Sequence, residues 1–246
     1  MIEHQAPDQQ IAEMSANIKQ VRERIADAAH TAQREPSEVT LVAVSKTKPL
    51  EMIQIAYNLG IRHFGENRVQ EALSKIEVFH PADLVWHMIG HLQTNKARKV
   101  VSAFDIVQSV DSLHLARTLD RLLAEEVTDQ EPGRLPILLE VNVASEASKA
   151  GVTLTDLPNL ARQVATLPHL EIRGLMTVAP QVEDLEEVRP FFRALREARD
   201  HLRDEILGPT CTELSMGMTN DYVIAIEEGA TIVRIGRAIF GARAYT

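Results

Sequence analysis

Short apolar runs alternate with stretches of helical periodicity along almost the whole chain, about eight times over. The runs are Thr40–Val44, Ile61–Phe64, Leu84–Ile89, Ile106–Val110, Leu135–Val143, Glu171–Val178, Glu213–Met216 and Thr231–Ile235. Each is near-continuously apolar and too short for a buried helix, which is the signature of strands covered on both faces in a parallel sheet. Between them the spacing predicts helices over Leu50–Asn58, Arg68–Phe79, Lys96–Ala103, from Asp111 or Ser112 to Glu126, after Thr155 or Asp156, over Leu185–Leu207 and over Asp221–Glu228. Pro158 and Pro190 fall early in their helices, where a missing N–H is tolerated, and Gly60 and Gly229 close theirs. No Gly-x-Gly-x-x-Gly opens a helix, so an open doubly wound sheet is disfavoured. The chain has 246 residues, which matches one closed (β/α)₈ barrel of about 250. A single TIM barrel domain over residues 1–246 is therefore expected, with an extra N-terminal helix at 11–33 packed on it. Thr128–Arg134 reads as a polar Pro/Gly loop, the expected place for insertions or nicking. Ala144–Gly151 reads as a small, polar, mobile segment.

A formal net charge of −9 argues against a nucleic-acid footprint. Cys211 is the one cysteine, so no intrachain disulfide forms, and it reads as a small buried or half-buried residue near the seventh strand. Met1–Gln10 is polar and lacks a basic segment followed by an apolar core. No apolar run approaches the roughly 20 residues that span a bilayer. A cytoplasmic location is expected, with no membrane partner, and a monomer is the default because a closed barrel has no edge to cover.

In barrels of this kind chemistry sits where strands end. Lys46 stands at the end of Thr40–Val44, with Lys48 two residues on and Pro49 opening the next helix. An apolar shell and a second cation both favour a neutral amine able to attack an aldehyde. Read in isolation the segment suits a solvated surface lysine better; the end of the chain changes that reading. Ser215-Met216-Gly217-Met218-Thr219-Asn220-Asp221 is rich in small and hydroxyl residues and feeds a helix, while Arg234-Ile235-Gly236-Arg237 follows the eighth run. Alone, the first loop reads equally as an N-cap with a Gly turn; together the two stand where phosphate cradles recur in such barrels, which favours phosphate binding. Arg234 ends an apolar strand, so its guanidinium is expected to face a ligand or a carboxylate. Glu66 and Asn67 end the second strand, where helix capping is the other reading; His91 follows the third, where a satisfied loop histidine is the other reading. Ser45 to Lys48 matches Ser-x-x-Lys without its companion motifs. His87 and His91 lie on a strand and its exit with no third ligand, so no metal is expected. Arg193, Arg196, Arg199, His201 and Arg203 interleave with acids and read as a solvated helix face.

Taken together, Ala43-Val44-Ser45-Lys46-Thr47-Lys48-Pro49, Phe64-Gly65-Glu66-Asn67, Ile89-Gly90-His91-Leu92-Gln93-Thr94-Asn95-Lys96, Arg173-Gly174-Leu175-Met176, Leu214-Ser215-Met216-Gly217-Met218 and Arg234-Ile235-Gly236 follow one another in order. In this the sequence resembles the YggS/PROSC family, the pyridoxal phosphate homeostasis proteins, from about Val39 onward. The resemblance implies a barrel like the N-terminal domain of alanine racemase. It implies that Lys46 holds pyridoxal 5′-phosphate as a Schiff base. It places Asn67 and Met216 at the cofactor, Ser215, Thr219 and the backbone of Gly236 and Arg237 on the phosphate, and Arg234 at the pyridine nitrogen. Such proteins are thought to buffer or deliver the cofactor, with transient contact to the enzymes that use it and without robust turnover. The alternative is an amino-acid racemase of fold type III; the chain is expected to lack the second β domain and its tyrosine. A Schiff-base aldolase shares the barrel, lysine and phosphate site but not the ordered motifs.

Overall fold

The computed structural model describes residues 7–126, 133–146 and 149–241. Eight parallel strands close into a barrel in sequence order: β1 Thr40–Val44, β2 His63–Glu66, β3 Val85–Met88, β4 Ile106–Val110, β5 Leu135–Glu140, β6 Leu170–Met176, β7 Glu213–Ser215 and β8 Ile232–Ile235. β1 pairs with both β2 and β8, and its Val42 stands in register with His63 and Arg234. The helices are α1 Pro7–Thr31, α2 Leu50–Asn58, α3 Val69–Ile76, α4 Ala97–Val101, α5 Leu113–Glu126, α6 Leu157–Val164, α7 Arg189–Leu202, α8 Tyr222–Glu227 and α9 Arg237–Phe240. The alternation predicted from sequence thus becomes a (β/α)₈ barrel.

The main core lies between the strands and the helices around them, where Phe64, Ile137, Leu139, Leu175 and Phe192 are almost wholly excluded from water. Burying such a side chain stabilises the fold by about 1.5–3 kcal/mol. A second, smaller apolar cluster of Val42, Leu138, Met176 and Ile232 is separate from it. α1 turns Met14, Ile18, Val21, Ile25 and Ala29 inward at helical spacing, and it meets α8 and α9. Gly65 is dictated by space, because a Cβ there would lie 2.9 Å from both Val42 and Ile89.

Several boundaries move from their sequence-based positions. β2 begins two residues later than Ile61, because the Ile61 and Gly60 amides donate to Ala56 and Tyr57 and close α2. The fifth strand stops at Glu140 rather than Val143, and Val141 makes an isolated bridge to Val152. The single helix expected over Leu185–Leu207 is a 3₁₀ turn (Leu185–Val188), then α7, then a π turn (Arg203–Leu207). Pro190 explains the first break, since it cannot donate back into a preceding turn. The solvated basic face is also corrected: Arg193 and Arg196 pair with Glu228 at 2.8 and 3.1 Å, and Arg189 joins them. The buried Glu228 carboxyl is held below its usual range by these guanidinium groups, against the opposing effect of burial. The polar loop at Thr128–Arg134 falls mostly outside the described residues. Of Ala144–Gly151, all but 147–148 are described. Asn142 ties that segment down, donating to the Glu146 and Lys149 carbonyls at 2.8 and 3.3 Å. Cys211 is fully buried, as expected, and burial pushes its thiol up to about 11.

Candidate functional site

β1 ends at Val44, and the ladder runs one step further through the Ser45 amide, which donates to the Gly65 carbonyl at 3.0 Å. The chain then turns, with the Lys48 amide donating to the Ser45 carbonyl at 3.0 Å and Thr47 held at φ 62°. Lys46, half-buried, rides on this turn. Both its neighbours are fixed from β2 and α3. The Ser45 hydroxyl donates to Glu66 Oε1 at 2.6 Å, and the Thr47 amide donates to Glu71. Lys75 Nζ gathers the group, donating to Glu66 Oε1 at 2.7 Å, Glu71 Oε1 at 2.8 Å and the Ser45 carbonyl at 3.0 Å. Burial pushes the Glu66 carboxyl up, and Lys75 pulls it back. Lys48 reaches the other way, donating to the Phe240 carbonyl at 3.0 Å and tying the turn to α9.

On the adjoining side, β7 leads into Gly217, whose φ of 92° and whose approach to Tyr222 leave no room for a Cβ. The Arg234 amide donates to the Gly217 carbonyl, and the Met218 amide to Asp221 at 2.6 Å. Arg234 itself, 4% exposed, enters the barrel below the level of Lys46, in register with Val42. Its guanidinium donates to Ser215 Oγ at 2.6 Å and to the Thr177 carbonyl at 2.7 Å. Burial lowers it to about 10, opposed by Glu140 and Asp221. Glu140 closes β5, and burial raises its carboxyl to about 7; Asp111 adds to the rise while Arg234 and His91 oppose it.

The sequence-predicted residues divide clearly. Lys46, Arg234, Ser215, Gly236 and Arg237 lie within two residues of the carboxyl ends of β1, β7 and β8. Thr219 is half-buried in the loop between β7 and α8, and Gly236 and Arg237 open α9, whose first N–H groups have no partner within the helix. Asn67 follows β2, and its buried Oδ1 has no hydrogen-bond partner among the described residues. Met216 points elsewhere: its side chain is in the main core, and its amide donates to the Ile232 carbonyl. Ser215 is wholly buried, and its hydroxyl donates to Gln108 Oε1 at 2.6 Å while accepting from Arg234. His91 is exposed with Nδ1 3.4 Å from Asp111, whereas His87 is inside the barrel and held down to about 3 by burial. Among the described residues no three His, Cys, Asp or Glu side chains are grouped to hold a metal. Sequence reasoning left out Glu140, Gln108, Thr177 and Lys75. Glu140 carried a signal, since it interrupts an apolar run just as Arg234 does; the others carried none.

The model of the alanine racemase N-terminal domain matches residues 11–244. A curated pyridoxal phosphate homeostasis protein of Pseudomonas aeruginosa is 44% identical over 235 residues, covering 94% of this chain and 96% of its own length. The chain belongs to this family. The structure of PipY from Synechococcus elongatus PCC7942 with PLP bound is 40% identical, with a TM-score of 0.76 over 90% of this chain and all of its own. Alanine racemase from Corynebacterium glutamicum shares the fold at 15% identity, with a TM-score of 0.69 over 95% of this chain and 62% of that one. The closed eight-stranded barrel described above is the fold of this family.

Proposed function

We propose that this chain is a pyridoxal 5′-phosphate-binding protein of intracellular cofactor homeostasis, acting in the cytoplasm as one barrel domain with α1 packed on it. The observation that carries the reading is a buried guanidinium, Arg234, whose hydrogen bonds go to a hydroxyl and a carbonyl rather than a carboxylate. It lies just below a lysine whose turn is braced on both sides. That donor set fits the cofactor: an amine for an aldehyde, a cation for a ring nitrogen, and a hydroxyl with N–H groups for a phosphate. Lys46 would attach the aldehyde, with Asn67 beside the ring. Thr219 and the backbone of Gly236 and Arg237 would hold the phosphate. Ser215, given to the phosphate by the resemblance, spends its proton on Gln108 and here supports Arg234 instead. Met216 contributes backbone alone. When bound, the cofactor supplies an aromatic ring whose nitrogen, beside a cation, stays unprotonated and withdraws electrons weakly. PipY, a relative by sequence and fold, has been solved with PLP bound, which supports this reading.

A racemase needs a second acid–base group over the site. The Tyr57 hydroxyl donates to Asp83 and Tyr222 is buried in α8, while Tyr245 lies outside the described residues. Among the described residues both tyrosines are thus committed elsewhere, which supports hand-over to cofactor-requiring enzymes over turnover.

The test is uptake. Purified protein mixed with pyridoxal phosphate turns yellow and, after borohydride reduction, gains the cofactor's mass on the Lys46 peptide. Lys46→Ala removes both signals, and Thr219→Val weakens retention by about tenfold, as loss of a hydrogen bond to a charged group does. Mass on a different lysine, or no uptake at all, refutes the site. Deuterium exchange into amino-acid enantiomers at about 1 s⁻¹ or faster refutes the non-enzymatic reading.

A further inference from the structure

Inside the barrel, side chains from β2, β3, β4, β7 and β8 form one unbroken hydrogen-bonded series. His63 Nδ1 lies 2.9 Å from His87 Nε2. His87 Nδ1 lies 2.8 Å from Gln108 Nε2. Gln108 Oε1 lies 2.6 Å from Ser215 Oγ, which lies 2.6 Å from an Arg234 nitrogen. We propose that this series is a one-way relay that orients the Arg234 guanidinium, with His63 and His87 as positioning residues, both in the Nε2–H tautomer.

The direction follows from counting donors. An arginine can only donate, so Ser215 Oγ accepts from it. Ser215 is wholly buried, so its own proton must find an acceptor, and Gln108 Oε1 is the one in reach. That fixes the amide: its nitrogen faces His87 and donates to Nδ1. Burial holds His87 down to about 3, so near neutral pH its ring carries a single N–H, now forced onto Nε2. That N–H donates to His63 Nδ1, which leaves the proton of neutral His63 on its own Nε2. Burial lowers His63 as well, with Asp105 opposing. Turning the Gln108 amide over would strand the Ser215 proton in the interior and invert both imidazoles. Each member therefore locks the next, and the half-buried His63 is the far end of the series that aims Arg234. The Thr177 carbonyl supplies the second anchor of the guanidinium, at 2.7 Å.

The relay depends on the proposed cofactor only for what Arg234 faces, and the experiment separates the two. Nitrogen-15 spectra of the histidines in cofactor-free protein report the tautomers directly. The expected result is an unprotonated Nδ1 and a protonated Nε2 on both His63 and His87. His63→Gln, whose side-chain carbonyl can still accept, keeps the His87 tautomer and holds pyridoxal phosphate within about twofold of wild type. His63→Leu leaves the buried His87 Nε2–H without an acceptor, so the Gln108 amide turns over in part of the molecules; this gives His87 a mixture of tautomers and weakens cofactor binding by about threefold to tenfold with a shifted absorption maximum, the size of one lost hydrogen bond. A His87 proton on Nδ1 overturns the relay, as does a His63→Leu protein with unchanged tautomer, affinity and spectrum. If wild-type protein takes up no cofactor, the proposed function fails, while the tautomers still decide the relay.

Discussion

The side of the barrel that presents Lys46 is built from opposite charges: Glu66, Glu71 and Lys75 meet within 2.8 Å contacts and brace the turn through Ser45 and Thr47. The side that carries Arg234 holds a buried cation among neutral dipoles, with Ser215, Gln108 and the Thr177 carbonyl as its hydrogen-bond partners. The first arrangement makes a rigid turn, because a charge group with several partners leaves the backbone nowhere to go. The second keeps a guanidinium aimed without neutralising it. A hydrogen-bonded carboxylate would have satisfied Arg234 and removed its value to a ligand; the nearby Glu140 influences it by charge without bonding to it.

The sharpest way to break this contrast is to remove a charge from the paired side. Lys75→Met leaves Glu66 buried with its countercharge gone, and unfolding measured in urea should show a loss of about 3–5 kcal/mol. Adding Glu66→Gln should recover much of it, since removing both charges is often near neutral. Persistent full destabilisation in the double variant would mean that packing, not charge, holds the turn.

Glu140 tests the other side through pH. Its folded carboxyl sits near 7 rather than 4.5, chiefly because of burial. A raised folded value means that the stability it contributes is complete below about 4.5 and disappears as pH climbs through about 7. The cofactor-free protein should therefore lose about 2–3 kcal/mol between pH 5 and pH 8.5 from this group. Glu140→Gln should flatten that decline, and an unchanged pH profile would show that Glu140 is not the group responsible.

The smallest effect lies in the turn itself. Thr47, a β-branched residue, sits at φ 62°, in the left-handed region. Thr47→Asn, which tolerates that region better, should raise stability by about 0.5–1 kcal/mol while leaving the Glu71 bond to the backbone amide intact. A loss instead would show that the threonine side chain contributes more than its backbone strain costs.

The sequence by itself determined the repeating strand–helix order, hence the barrel, and it set Lys46 and Arg234 at strand ends, where polar residues interrupt apolar runs. It also marked the loops after β7 and β8, because small and hydroxyl residues entering a helix leave a local trace. What it left open was which side chains meet. Strands buried on both faces read as continuous apolar runs, so the alternation that separates inward from outward residues is erased; Ser215 and Met216 looked alike, yet one faces Arg234 and the other the main core. Partners such as Ser215 and Gln108 stand 107 residues apart, and closure of the sheet alone brings them together. Burial then did the rest: only inside a closed barrel does Glu140 hold its proton near neutrality and His87 stay uncharged, since the water that would solvate their charged forms is shut out.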